Sequence, residues 1–253
     1  MKKLYALVML CCVTTASHAQ SFRAQYGTAR TPQTMAILND FRQGQILKKM
    51  ASALSGGMQL PRPITLIATD CGKENAFYTA KAEAIVLCLE LVARLRDGIV
   101  RDFARSATPT EIPQIFSGAL VFVLMHEIGH ALINQFDLPV LGREEDAADQ
   151  IGIFFLLSNS GASQSLAGAL WFFRPNNIFY TQQHFSDEHS LNPQRQANLV
   201  CWAYGRDQAK FGYLLRSPFL SAERAPRCPG EYQKLDSVVR RLLDSKITLP
   251  PRN

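Results

Sequence analysis

The sequence predicts an α+β fold, in which a small mixed sheet packs on a long helix and the second half of the chain is mostly helical. Its 253 residues are 47% hydrophobic and 19% charged, a composition that is typical of globular proteins and excludes disorder and low-complexity classes. Short strand-like runs occur only between residues 64 and 89, and helical spacing dominates after residue 91. The length allows one large domain or two small ones.

Residues 1–19 have the pattern of a secretory signal peptide. Lys2 and Lys3 precede an apolar run over residues 4–13, and small residues lead to Ala19. The apolar run is too short to span a bilayer. Cleavage after Ala19 predicts a periplasmic or secreted protein with no membrane span, in which residues 20–33 form a flexible leader.

A lipoprotein signal is the alternative, because Cys11 and Cys12 lie in this segment. A lipidation site has a small residue directly before its cysteine, and Leu10 precedes Cys11. Cleavage after Ala19 therefore remains the prediction.

The net charge of +6 does not indicate a nucleic-acid partner. Lys2 and Lys3 leave with the signal, so 25 basic residues oppose 21 acidic ones and the net charge falls to +4. The remaining charges are spread along the chain, apart from the pair Arg240-Arg241, and a mixed, solvated surface explains them.

Four cysteines follow the signal, and an even number in an exported protein predicts disulfides. Three pairings are possible, and we expect the nearest-neighbour pairing, Cys71 with Cys88 and Cys201 with Cys228. A structural zinc site is the alternative, but no C-x-x-C pair is present.

The predicted elements follow in chain order. An amphipathic helix over Thr34–Leu54 ends at two glycines, and strands at Ile64–Ala68, Phe77-Tyr78 and Ala84–Leu89 precede a helix over Leu91–Phe103. Thr108 and Glu111 form a helix-start signature for a helix that runs to about Phe136. Further helices are expected at Arg143–Leu157, Ser165–Phe173, Pro193–Tyr204 and Tyr232–Ser245.

The long helix contains the motif His126-Glu127-Ile128-Gly129-His130. Residues four apart lie on one helical face, so both imidazoles can bind one metal ion. Glu127 projects about 100° away from His126, where a general base for a zinc-bound water must stand.

The residues around this motif are apolar on all sides of the helix, which indicates burial. Two buried histidines and a glutamate are costly without partners, and a bound metal ion removes much of that cost. A transmembrane helix, or a core helix with satisfied polar groups, is the alternative. A membrane span with three ionisable residues at its centre is also expensive.

The next helix supplies acidic residues for a third ligand. Glu145 and Asp149 are four apart, so Glu145 can bind the ion while Asp149 accepts a hydrogen bond from a ligand histidine. Glu144 competes as the ligand, although its own i+4 neighbour, Ala148, can orient nothing. A solvated, acidic helix start explains these residues without a metal.

H-E-x-x-H followed by E-x-x-x-D resembles the gluzincin clan of zinc metallopeptidases. The closest resemblance is to a bacterial family of exported metallopeptidases of unknown function, over residues from about 35 to 230. The shared pattern reads Cys71-Gly72, Asn75-Ala76-Phe77-Tyr78, Cys88, H-E-I-G-H, Glu145, Asp149, Asp187-Glu188-His189, Gln194-Arg195 and Cys201-Trp202.

The resemblance implies a zincin-like fold with one zinc ion, a catalytic core over residues 34–157 and a helical part of the same domain over 158–253. Asn75, Ala76 and Tyr78 would lie on an edge strand that binds an extended peptide. His189, supported by Asp187, would stabilise the oxyanion. A helix-capping or structural role for His189 is equally compatible with the sequence.

These observations predict an exported zinc metallopeptidase that acts on a peptide or protein, with Glu127 as the general base and His126, His130 and Glu145 as the metal ligands. Two alternatives stay open. One is a catalytically inactive, or non-peptidase, envelope interaction protein on the same scaffold, and the other is a zinc amidase that acts on cell-wall peptides.

Overall fold

A computed structural model describes residues 20–158, 161–174 and 180–251. The predicted signal peptide, residues 1–19, lies outside the described residues. Strands are β1 Phe22–Tyr26, β2 Ile64–Thr69, β3 Ala76–Thr79 and β4 Ala84–Cys88. Helices are α1 Pro32–Gln43, α2 Ile46–Gly57, α3 Leu89–Phe103, α4 Glu111–Phe136, α5 Glu144–Leu157, α6 Ala162–Phe172, α7 Gln182–Phe185, α8 Asn192–Arg206, α9 Gln208–Phe211 and α10 Cys228–Leu243, with 3-10 turns at Gly212–Arg216 and Ala225–Arg227.

The four strands form one mixed sheet in the order β1-β2-β4-β3. Strands β1, β2 and β4 are parallel, and β3 pairs antiparallel with β4 at the edge. Helix α4 packs beside β3, and the described secondary-structure elements after β4 are all helices, joined by loops. The prediction of an α+β fold with a small mixed sheet is confirmed.

The predicted flexible leader over residues 20–33 is wrong, because this segment begins the sheet. Phe22 pairs in register with Ile64 of β2 and is fully buried. Phe22 and Tyr26 lie on the less exposed side of the strand while Arg23 is exposed, which is the period-two pattern of a strand. Thr31 then caps α1 through a hydrogen bond from the peptide N–H of Thr34.

The predicted helix over Thr34–Leu54 is two helices. Helix α1 ends at Gln43, and Gln45 adopts a left-handed conformation with φ of 51° before α2 begins. Both helices keep an apolar face against the core, with Ile37 on α1 and Leu47 on α2 buried. Because periodicity records only the faces, it does not show the break between them.

The start of α4 has the predicted signature. The hydroxyl of Thr108 accepts a hydrogen bond from the peptide N–H of Glu111, and the Glu111 carboxylate accepts one from the peptide N–H of Thr108. The helix is long and apolar enough to span a membrane by length and composition, and 67% of its most apolar window is buried within the protein. Such burial is typical of a core helix.

Two disulfides join Cys71 to Cys88 and Cys201 to Cys228, which is the nearest-neighbour pairing. The first connects the loop before β3 to the last residue of β4, and the second connects α8 to the first residue of α10. Disulfides of this kind indicate an oxidising environment.

Candidate metal centre

The candidate site lies where helices α4 and α5 touch. A Cβ atom on Gly129 of α4 would lie 2.9 Å from the Cα of Ala148 on α5, and one on Gly152 would lie 3.2 Å from the backbone nitrogen of His126. At both positions, a side chain larger than the hydrogen atom of glycine would crowd the backbone of the facing helix. The two helices therefore meet backbone to backbone at the level of the H-E-x-x-H motif.

This contact brings three side chains together. His126 Nε2 lies 3.2 Å from His130 Nε2 and 3.0 Å from Oε2 of Glu145, whose Oε1 lies 3.4 Å from His130 Nε2. These three residues form a group that could hold a metal ion. Three ligands bound tetrahedrally at 2.0–2.1 Å would lie about 3.3 Å apart, so the observed spacing fits such an ion.

The other nitrogen of each of these two imidazoles faces a carboxylate. His126 Nδ1 lies 2.9 Å from Oδ1 of Asp149, and His130 Nδ1 lies 2.8 Å from Oε1 of Glu144. Carboxylates accept hydrogen bonds, so each Nδ1 carries the proton that it donates. The two acidic residues thereby orient the rings and leave both Nε2 atoms facing the centre.

The space between His126, His130 and Glu145 requires a positive charge. With both Nδ1 atoms donating, the Nε2 lone pairs of neutral imidazoles would face each other and the carboxylate of Glu145. Oε2 of Glu145 is buried and receives no aligned hydrogen bond from the described residues. Protons or a metal ion can supply the missing charge, and two imidazoles with one carboxylate are the donor set of a catalytic metal site.

The pKa values of the donors respond to this arrangement. Burial alone would lower the pKa of His130, but hydrogen bonds to Glu145 and Glu144 outweigh it and raise the pKa to about 9. Burial would raise the pKa of Glu145, but its contacts with the three histidines, His126, His130 and His189, hold it far below the usual range. Without a metal ion, protons neutralise the site.

Arg195 is a part of the site that the sequence analysis missed as a functional residue. Its guanidinium binds Asp149 in a bidentate manner, with Nε to Oδ2 and Nη2 to Oδ1 both at 2.7 Å, and both side chains are buried. The pair keeps the Asp149 carboxylate charged and oriented toward His126. The only sequence signal was the position of Arg195 within the family pattern, because α8 is distant in sequence from α5.

Glu127 lies beside the candidate metal-binding group rather than in it. Its side chain is buried, and its Oε2 accepts a 2.8 Å hydrogen bond from the peptide N–H of Tyr78 on β3. Burial raises the pKa of Glu127 above that of an ordinary carboxyl, while His126 and His130 oppose the rise. A raised pKa suits a group that must both take and give a proton near neutral pH.

The predicted substrate-binding residues lie along the edge strand, next to Glu127. Asn75 and Ala76 line a cavity that also contains His126 and Glu127, and the carbonyl of Asn75 accepts a hydrogen bond from the peptide N–H of Cys88. Tyr78 contributes its backbone only. Its hydroxyl points away, toward Glu83 and Asn134.

His189 approaches the site from the chain before α8. Its Nε2 lies 3.1 Å from Oε2 of Glu145, and its Nδ1 lies 3.0 Å from Oδ1 of Asp187. Arg143 donates a 2.8 Å hydrogen bond to the backbone carbonyl of His189, which ties this segment to the start of α5. The ring is 42% exposed, so it lies at the mouth of the site.

The structure thus brings together His126, Glu127, His130, Glu145, Asp149 and His189, with Asp187 behind His189 and the strand residues Asn75, Ala76 and Tyr78 alongside. Glu144, the competing ligand in the sequence analysis, instead contacts the outer nitrogen of His130. Its signal was in the sequence, because it directly precedes Glu145 at the start of α5. Within its own helix the i+4 neighbour of Glu144 is Ala148, whereas its partner, His130, lies on α4.

Comparison with known proteins identifies a family for this chain. Residues 26–243, most of the chain, match the sequence profile of a family described as "Putative metallopeptidase". The chain therefore belongs to that family. No curated protein and no solved structure matches the chain significantly.

Proposed function

We propose that the protein is a zinc-dependent peptidase of the gluzincin type, with a zincin-like fold, that works in the periplasm or outside the cell. The observation that carries the proposal is the convergence of His126, His130 and Glu145 on one point with the buried carboxylate of Glu127 beside it. Membership of a metallopeptidase family and the two disulfides support it.

Zinc would be held by His126 Nε2, His130 Nε2 and the carboxylate of Glu145, with Asp149 and Glu144 orienting the two rings. When bound, the ion supplies Lewis acidity that activates a water molecule and polarises the scissile carbonyl. Borderline-soft zinc prefers this set of two imidazoles and one carboxylate, whereas magnesium and calcium prefer oxygen ligands.

Glu127 takes the proton from the attacking water and passes it to the amine nitrogen that leaves, so one water is consumed and one peptide bond breaks. The Tyr78 N–H holds one carboxylate oxygen of Glu127 at 2.8 Å, which orients the other for this transfer. His189, held by Asp187, donates a hydrogen bond to the oxyanion that forms at the carbonyl. The edge strand aligns an extended peptide beside these groups.

The proposal is tested on the purified, untagged protein. We expect about one zinc ion per chain by elemental analysis and cleavage of members of a mixed peptide library detected by mass spectrometry. The Glu127→Gln variant should retain zinc and lose cleavage by several orders of magnitude, while Glu223→Gln, an exposed control, should match the parent.

Absence of zinc from the parent would overturn the proposal. Zinc without cleavage of any peptide would favour the inactive envelope scaffold. Cleavage of peptidoglycan fragments, but not of ordinary peptides, would favour the amidase.

A further inference from the structure

The cavity beside the metal centre is small, and polar and apolar groups line it about equally. It has a volume of about 110 Å³, and His126 and Glu127 lie in its wall. Pockets for whole drug-sized ligands measure roughly 300–1,000 Å³, so this cavity fits one residue of a substrate. Its apolar surface comes from Leu91, Phe122, Val123 and Phe172.

Two arginines line the cavity, and they differ in their hydrogen bonding. Arg195 already donates from Nε and Nη2 to the carboxylate of Asp149. Arg94, on α3, makes one ion pair, from Nε to Oε2 of Glu74 at 2.9 Å. Within the described part of the chain, the two Nη amino groups of Arg94 have no acceptor.

Arg94 is also held in place by aromatic rings. Its Cζ lies 5.5 Å from the ring centroid of Phe172 and 6.0 Å from that of Trp171, distances at which a guanidinium is attracted to the ring face. The side chain is 32% exposed. A partly buried, stacked guanidinium with free amino groups is preorganised to bind a carboxylate, since little side-chain entropy remains to be lost.

The acidic residues around the cavity mean that an anionic group needs a cation such as Arg94 in order to bind there. Glu74, Glu127 and Glu145 lie in or next to the cavity, so an anionic group entering it meets repulsion unless a cation is present. Asp149 occupies both Nε and Nη2 of Arg195, whereas the ion pair of Arg94 with Glu74 uses Nε alone. Of the two lining arginines, Arg94 therefore keeps the donors that can receive such a group.

We infer that Arg94 makes this cavity a carboxylate-binding subsite, so that the preferred substrates carry a carboxylate on the residue that enters it. The inference rests on the proposed function, because it assigns a substrate class to the same site. The carboxylate can be the free C-terminus of a short peptide, which gives exopeptidase action. It can also be an Asp or Glu side chain next to the scissile bond, which gives endopeptidase action.

The test measures binding rather than turnover. Zinc-loaded Glu127→Gln protein is titrated calorimetrically with two matched pairs of short peptides, one pair with a C-terminal acid or amide and one amidated pair with internal Glu or Gln. We expect at least one acidic member to bind roughly 10-fold or more tightly than its neutral partner, as for a hydrogen-bonded charge pair. The pair that discriminates identifies the source of the carboxylate.

The preference should disappear when Arg94→Met is added and should be reduced with Arg94→Lys, which keeps the charge without the fork. The control is Arg96→Gln, on the same helix but paired with the neighbouring Asp97, and it should keep the full preference. Zinc content and melting temperature of each variant establish that it is folded and loaded.

Equal binding of both members in both pairs would overturn the inference, and so would a preference that survives Arg94→Met. Neither result affects the proposed function, which depends on hydrolysis by the parent protein. Conversely, Arg94-dependent binding without any hydrolysis by the parent would uphold the subsite and contradict the peptidase.

Discussion

The peptide N–H of Tyr78 donates a 2.8 Å hydrogen bond to Oε2 of Glu127, so the backbone of the edge strand is connected directly to the proposed general base. The same residue secures the strand through its side chain. Its hydroxyl contacts Glu83 and Asn134, and Gln135 also donates to Glu83. Tyr78 thus couples the position of β3 to that of the Glu127 carboxylate.

Replacing Tyr78 by Phe should loosen this strand while leaving the metal ligands unchanged. Loss of the hydroxyl hydrogen bonds should lower the free energy of unfolding by about 1–2 kcal/mol. Because Glu127 would be less firmly oriented, kcat should fall several-fold at unchanged zinc content. Chemical denaturation, elemental analysis and steady-state kinetics measure the three quantities, and unchanged kcat would contradict the coupling.

The adjacent acids Glu144 and Glu145 form a matched pair for identifying the third ligand. Glu145→Gln should reduce zinc affinity by several orders of magnitude, because the amide replaces a charged ligand. Glu144→Gln should reduce zinc affinity about 10-fold, as expected for the loss of a residue that orients a ligand. Competition with a fluorescent chelator measures both affinities, and the reverse ranking would make Glu144 the ligand.

The buried pair Asp149 and Arg195 should affect stability and metal binding separately. Asp149→Asn leaves the Arg195 charge without its partner, which should cost about 3–5 kcal/mol of stability, and it should weaken zinc binding roughly 10- to 100-fold. Adding Arg195→Met should restore much of the stability but not the affinity. Recovery of both would show that Asp149 acts on the fold alone.

The close contact of α4 and α5 predicts a large effect from one methyl group. Gly129→Ala would place a Cβ atom 2.9 Å from the backbone of Ala148, so the helices must separate, at a cost of about 1–3 kcal/mol. Zinc affinity should fall as well, because Glu145 moves with α5. Gly56→Ala in α2 is the control, since a Cβ there meets nothing within 4 Å. Equal behaviour of the two variants in thermal melts would contradict the contact.

The metal-free protein should lose stability as the pH rises above neutrality. The pKa of His130 is raised from 6.5 to about 9 by Glu145 and Glu144, against the opposing effect of burial. A raised pKa in the folded state gives stabilisation that is full below pH 6.5 and is lost as the pH rises toward 9. Zinc should replace these protons, so its binding should release protons at pH 7.5 and flatten the decline. Melts of the metal-free and zinc-loaded protein, with calorimetry in two buffers, measure both effects.

Local patterns predicted most of the fold because they arise from neighbouring residues. The start of α4 is an interaction between Thr108 and Glu111 three residues apart, and the pairing of His126 with His130 follows from one helical turn. Strand β1 was missed because residues 20–33 directly follow a signal-like segment, and a single edge strand carries only a five-residue pattern. The break at Gln45 was missed although Gly44 precedes it, because the apolar periodicity continues across the break and the left-handed residue is Gln45 rather than the glycine.

The parts of the site that sequence could not supply depend on contacts between distant segments. Arg195 and Asp149 are 46 positions apart in the sequence, and the local pattern around each residue gives no indication of the other. In the sequence, Arg94 resembles an ordinary arginine on a helix surface. Its contact with Phe172 is formed only by the fold. Glu144 was judged by its own helix alone, although its partner, His130, is on the preceding helix.

The disulfide between Cys71 and Cys88 gives the edge strand a second, covalent attachment. All of β3 and the turn that follows it lie inside the loop that this bond closes. A single cut in the backbone between residues 72 and 87 would therefore leave both fragments attached to the same molecule. In the presence of other proteases, one cut in this loop would not separate the two fragments unless the disulfide were also reduced.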